Sequence, residues 1–282
     1  MVADIRLENQ GEQPAVGDTS SGVKRGPLVT PAIPFHISRL SNARRAVTDL
    51  VRYASRKPTM HGLLEVDVTS AEERLASLEG PPTLTSFVVT TLARVVATHP
   101  DVNTRRAGRK LVLFDRVDVV VTVEKEVDGA VAPVPMVIRD AAQRSLFAVS
   151  SQLHGARTKR FDDMVGQSLL GRLPSVLRRL ATSLLRGIPA AAARFGPAVG
   201  VSSLGMFGSG WGIPLSPMTL MVTIGGTIVR PVLMEGELEN HVFLPLTLSF
   251  DHSVIDGAPA ARFATSFRHA LESAAVLGEV ID

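Results

Sequence analysis

Apolar and polar residues alternate along this chain in two periods, and each change of period marks a new element. Near the C-terminus Leu244, Leu246, Leu248 and Phe250 alternate with Pro245, Thr247 and Ser249. This period of two predicts a strand with one buried face. After Gly257 helical spacing takes over and runs through 258–271. Upstream, Leu40, Ala43, Val47, Leu50 and Val51 fall at helical spacing within 39–57, with Arg44, Arg45, Arg52 and Arg56 facing solvent and Pro58 as the stop. A strand is predicted at 62–68, and a helix at 70–78 with Thr69 as its N-cap. The stretch 85–98 predicts a strong helix with Phe87, Val88, Leu92, Val95 and Val96 on one face, ended by Pro100 and Asn103. The β-branched run 117–123 predicts a central strand. A tight turn at Asp128-Gly129 leads to a strand at 130–138, and 145–154 reads as a helix. Further strands are predicted at 219–224, leaving through Gly225-Gly226, and at 229–232. Strands and helices alternate throughout, so the fold class is α/β or mixed α+β.

Composition narrows the picture. Of 282 residues 45% are hydrophobic, which suits a globular protein. Residues 1–30 are polar and read as a disordered arm, leaving 31–282 as one folded domain. There is no cysteine, so disulfides, thiolate metal sites and a cysteine nucleophile are excluded. A net charge of +3 without a basic block, together with few aromatic residues, argues against nucleic acid as a partner. The N-terminus lacks the apolar stretch of a secretory signal, and no long uncharged apolar window predicts a membrane span. These features suggest a cytoplasmic enzyme or binding protein. In 164–196, Leu173, Val176, Leu177, Leu180 and Leu184 form a stripe flanked by Arg172, Arg178, Arg179 and Arg186. Such a segment can bind a membrane or a partner, but ordinary burial against its own domain satisfies the stripe.

Candidate chemistry centres on Asp251-His252 at the end of the predicted strand, with Asp256-Gly257 four residues on. A histidine where a strand ends is firmly held and reachable, and a neutral imidazole can accept a proton near pH 7. Taken alone, His-x-x-x-Asp-Gly more often marks a structural or simply exposed histidine than a catalytic one. Two other readings fail. Gly200-Val-Ser-Ser-Leu204 lacks the second glycine of a nucleophile elbow, and Gly208-Ser-Gly-Trp-Gly212 neither ends a strong strand nor opens a helix as a dinucleotide fingerprint requires.

Several motifs in order are more specific. Leu248-Ser-Phe-Asp-His-Ser-Val-Ile-Asp-Gly-Ala258, Val201-Ser-Ser-Leu-Gly-Met-Phe-Gly208 and the paired strands of 117–140 ending in Pro135-Met-Val-Ile-Arg139 resemble the catalytic domain of 2-oxoacid dehydrogenase acyltransferases. More distantly they resemble chloramphenicol acetyltransferase. The resemblance covers about residues 35–278. It implies a two-layer sandwich with a mixed sheet, assembled as a homotrimer with active sites between subunits, using CoA as co-substrate and no metal. It further implies that His252 is the general base and that Ser202 donates a hydroxyl to the tetrahedral oxyanion, with Ser203 and Ser209 as neighbouring rivals. Asp256 matches a carboxylate that holds the histidine loop through an arginine, for which Arg44 or Arg45 is the candidate.

Three departures shape the functional expectation. Ser253 stands where the family commonly has arginine, the 164–196 segment is longer than usual, and the short arm leaves no room for lipoyl and subunit-binding domains. The chain is therefore expected to be a free-standing O-acetyltransferase. It would move an acyl group, acetyl by preference, from CoA to a hydroxyl of a small molecule, such as a tetronate or polyketide intermediate in antibiotic biosynthesis. The alternative is the dihydrolipoyl acyltransferase core of a 2-oxoacid dehydrogenase complex. A non-catalytic scaffold is disfavoured because His252 and Asp256 are both present.

Overall fold

The structure, a computed structural model, describes residues 42–80, 82–127, 130–158, 188–194, 197–205 and 208–281. The arm at 1–30, the Asp128-Gly129 turn and most of 164–196 lie outside them. In chain order the elements are α1 (Asn42–Ala54), β1 (Thr59–Asp67), α2 (Thr69–Ser77), α3 (Leu84–Ala97), β2 (Thr104–Ala107), β3 (Lys110–Leu113), β4 (Val119–Val127), β5 (Ala130–Ile138), α4 (Leu146–Thr158), α5 (Pro189–Arg194), β6 (Val199–Ser203), β7 (Leu220–Ile224), β8 (Ile228–Met234), β9 (Glu237–Asp251), α6 (Gly257–Glu272) and α7 (Ala275–Ile281).

Seven strands form one sheet in the order β1-β9-β7-β6-β4-β5, with β8 also paired to β9. The pairs β4–β6 and β6–β7 are parallel and the others antiparallel, so the sheet is mixed. Helices α3, α4, α6 and α7 cover one face, which gives the expected two-layer α/β sandwich. The run 117–123 does supply an interior strand, since β4 lies between β6 and β5. Helix α3 runs through the core with Phe87, Val88, Val89 and Leu92 fully buried. A reciprocal cap starts it: Thr83 Oγ1 accepts from the Ser86 N–H, and Ser86 Oγ accepts from the Thr83 N–H. Phe263 and Phe267 of α6 stack on each other, and Phe263 meets Phe250 of β9 edge-on.

Four local readings change. Thr69 opens α2 rather than capping it. The cap is supplied by the Asp67 carboxylate, which accepts from the Thr69 N–H and hydroxyl. Leu50 and Val51 of α1 are exposed, so this end of its apolar stripe is not covered among the described residues. The hairpin β2–β3 was not foreseen, because its Thr-Arg-Arg-Ala strand carries no apolar alternation. Arg105 there is nonetheless buried and donates to the carbonyls of Pro197 and Pro217. Finally, from Leu244 to Asp251 every residue of β9 is buried, so both faces are covered rather than one. The second cover comes from residues 208–218. Trp211 Nε1 donates to the Leu64 carbonyl, and Met218 and Met221 pack over Gly200. Gly225 and Gly226 let this segment press on the end of β7, since a Cβ at either would strike the carbonyl of Gly210 or Gly208.

The second face is polar where the first is apolar. Val201, Val222 and Leu248 point into the helical layer, while Ser202, Thr223 and Thr247 share the opposite face in one cross-sheet row. At one end of that face lies an ion pair, with Lys57 Nζ 2.6 Å from Asp251 Oδ2. Lys57 also donates to the carbonyls of Pro217 and Met218, so it ties the covering segment to β9. Burial pushes the Asp251 carboxyl up. The bonds from Lys57 and Ser253, with the Lys57 charge, outweigh that and hold it below the usual carboxylate value.

Because this carboxyl titrates lower folded than unfolded, its stabilisation is full above the unfolded value of 3.8 and is lost as pH falls through the folded value. Asp251→Asn removes the charge partner of the largely buried Lys57, and it is expected to lose about 3 kcal/mol at pH 7. The loss should shrink below pH 3.8. Denaturant unfolding of both proteins across that range measures it, and a gap unchanged in acid would refute the assignment.

Candidate active site

The histidine turn is built from backbone bonds. The His252 N–H donates to the Pro58 carbonyl at 2.7 Å, which continues the β1–β9 ladder one step past its last residue. The N–H groups of Val254 and Ile255 both donate to the Asp251 carbonyl, closing a tight turn before α6. Asp251 Oδ1 accepts from the Ser253 N–H and, at 2.6 Å, from its hydroxyl. The backbone of His252 is thus fixed on both sides while its side chain is 49% exposed.

Asp256 Oδ1 lies 3.6 Å from His252 Nδ1 and its side chain is 87% exposed. That separation is too long for a hydrogen bond but suits an ion pair once the imidazole is protonated. The buried carboxylate of this loop that carries a cation is Asp251, and the cation is Lys57. Arg44 and Arg45 lie on the exposed side of α1. In the sequence Asp251 stands out only as the neighbour of His252, and Lys57 as the end of a basic helix, so their pairing is not foreseen. The signal was the lysine ahead of Pro58, which the register places level with the histidine.

The three serines occupy different places. Ser202, half-buried in β6, sits on the polar face beside Thr122 and Thr223. Ser203 points to the other face and lines a cavity of about 560 Å³ with Thr83, Glu124, Ser150, His154 and Thr227. Ser209 is exposed and bridges to Gly226.

Within one chain His252 and Ser202 are apart. The Ser202 row crosses β9 at Thr247, five positions before His252. At about 3.3 Å per residue that is roughly 17 Å along the strand, besides two strand spacings of about 4.8 Å across the sheet. No side-chain rotation closes such a gap. Among the described residues no cluster of three or more His, Asp or Glu is placed to hold a metal ion, and no helix is long and apolar enough to cross a membrane.

The family profile of 2-oxoacid dehydrogenases acyltransferase (catalytic domain) matches residues 35–168 and 170–278. The dihydrolipoyllysine-residue acetyltransferase component of the pyruvate dehydrogenase complex of Zymomonas mobilis is 25% identical over 255 residues, covering 86% of this chain and 51% of the relative. The lipoamide acyltransferase component of the branched-chain alpha-keto acid dehydrogenase complex of Pseudomonas aeruginosa is 26% identical over 246 residues, covering 83% and 51%. The chain thus spans about half the length of these curated relatives. Among solved structures, a probable dihydrolipoamide acetyltransferase from Listeria monocytogenes has a TM-score of 0.67 at 19% identity, covering 85% of this chain and 95% of that one. The dihydrolipoamide acetyltransferase of Azotobacter vinelandii has a TM-score of 0.62 at 22% identity, covering 88% and 99%.

These relatives overturn the expectation of a free-standing O-acetyltransferase acting on a hydroxyl in antibiotic biosynthesis. The two curated relatives are named as acyltransferase components of dehydrogenase complexes, which matches the alternative reading. The physical grounds for a hydroxyl acceptor also fall away. The Ser253 hydroxyl turns inward to Asp251 rather than toward an acceptor, and an imidazole base does not by itself distinguish an alcohol from a thiol. With a family profile matched along nearly the whole of 35–278 and the sandwich fold to support it, this chain belongs to the 2-oxoacid dehydrogenase acyltransferases, of which it carries the catalytic domain.

Proposed function

We propose that this domain transfers an acyl group, acetyl by preference, between CoA and a dihydrolipoyl thiol, as the names of its relatives suggest. The observation that carries the mechanism is the fixed backbone and open side chain of His252. Its neutral imidazole takes the proton from the attacking thiol as the sulfur adds to the thioester carbonyl. The resulting oxyanion accepts a hydrogen bond from Ser202, a donor already set in a strand. Collapse expels the second thiolate, which recovers the proton from the imidazolium. In the Azotobacter vinelandii dihydrolipoamide acetyltransferase a serine, a histidine and an asparagine are named in the catalytic mechanism, which supports giving roles to a serine and a histidine here.

The separation of the two residues within one chain supports a site shared between copies, in a homotrimer where His252 of one subunit faces Ser202 of the next. CoA and the lipoyl arm then reach the shared site from different sides.

His252→Ala should fold normally and lower acyl transfer from acetyl-CoA to dihydrolipoamide by about 10²–10⁴-fold. Ser202→Ala should lower kcat by about 10²-fold with little change in KM, whereas Ser203→Ala should not. Should Ser203→Ala alone show that loss, the donor is Ser203. Co-expressing the His252→Ala and Ser202→Ala chains tests the assembly. Random mixing around a closed ring leaves about a quarter of interfaces with both groups intact. Activity in the mixture no higher than in either variant alone would exclude a shared site. Absence of any thioester product from dihydrolipoamide would exclude the reaction itself.

A further inference from the structure

Four buried side-chain oxygens have no hydrogen-bond partner among the described residues: Thr91, Thr219, Thr223 and Thr247. Thr91 lies on α3. The other three lie on or beside β7 and β9, and all share the polar face of the sheet. Thr223 and Thr247 are 1% and 0% exposed. An unpaired hydroxyl at such a position is destabilising, and valine has nearly its shape and a higher preference for strands. Burial and sheet packing would therefore select valine, and a group kept at the expense of stability points to another role.

Register says what that role is. Thr223 is the direct partner of Ser202 on the parallel strand β7, and Thr247 is the direct partner of Thr223 on β9. Residues paired in this way place their side chains about 5 Å apart at Cβ, so rotation between staggered wells brings their hydroxyls within hydrogen-bond reach. The neighbour on the other side of Ser202, Thr122, already donates to the Val201 carbonyl. The row beyond is also engaged, with Ser249 Oγ 2.8 Å from His61 Nδ1. The two uncommitted hydroxyls thus stand in line with Ser202.

We infer that Thr223, backed by Thr247, is a positioning residue for the Ser202 hydroxyl. The Thr247 O–H donates to Thr223 Oγ1, and the Thr223 O–H donates to Ser202 Oγ. The serine then has its acceptor side occupied and its own O–H directed out of the sheet at the oxyanion. A hydroxyl that accepts a hydrogen bond is also a stronger donor, so the line both aims and strengthens Ser202. This rests on the proposed role of Ser202 as oxyanion donor.

The test uses the full chain, with acetyl-CoA and dihydrolipoamide as substrates. Thr223→Val should lower kcat by about 10-fold, less than loss of the donor itself, and leave both KM values unchanged. Thr223→Ser should restore the rate. In a Ser202→Ala background Thr223→Val should have no further effect, because it acts only through that hydroxyl. If the valine variant does not fold, Thr223→Ala carries the same kinetic comparison. A Thr223→Val enzyme with unchanged kcat, or an equal loss in the Ser202→Ala background, would overturn the inference while leaving Ser202 in place. A Ser202→Ala enzyme at full speed would instead remove the oxyanion reading, and this inference with it.

Discussion

The ion pair between Lys57 and Asp251 is the point on which the rest converges. One carboxylate at the end of β9 receives the ammonium that follows α1, the hydroxyl of Ser253 and a backbone N–H. The same ammonium holds the carbonyls of Pro217 and Met218. A buried charge must be compensated or it unfolds its surroundings, so these bonds are made together or not at all. As a result the sheet, its second cover and the histidine turn are located by one interaction. His252 inherits a fixed backbone without being buried itself.

The sheet has two different faces for a reason that follows from this cover. Helices supply an apolar layer to Val201, Val222 and Leu248. Residues 208–218 supply the other, and they can lie close only because Gly225 and Gly226 have no side chain. Beneath it Ser202 of β6, Thr223 of β7, and Thr247 and Ser249 of β9 bring hydroxyls to a face they share with Gly200, Met221 and Pro245. A polar row held dry in this way suits a donor that must act in a low dielectric, where a preset hydrogen bond has its largest effect.

The names of the relatives favour a thiol over a hydroxyl as the acceptor in the proposed reaction. An imidazole base would have the same role in either reaction, so His252 carries no information about the acceptor. Ser253 had been read as a change in substrate contact because an arginine is usual there. Its side chain instead completes the shell of Asp251, so it is part of the support. Much of the 164–196 segment lies outside the described residues and contributes nothing to the choice.

The sequence by itself determined the elements that depend on local period and spacing. The alternation at 244–250, the helical spacing of 85–98 and 258–271, and the β-branched run of 117–123 each produced an element where expected, because side-chain burial along one chain is a local property. The motif around His252 likewise located the turn. Tertiary structure decided what depends on neighbours far away in the chain. It showed that Thr247 and Ser249 are buried despite their polar pattern, since a covering loop over a sheet leaves no period in the strand it covers. It selected Lys57 as the cation at the histidine loop, a pairing across 194 residues that no local spacing encodes. It also set Ser202 and Ser203 on opposite faces and kept Ser202 far from His252 in the same chain. Register across a sheet arises from pairing between strands, and the sequence of any one strand does not contain it.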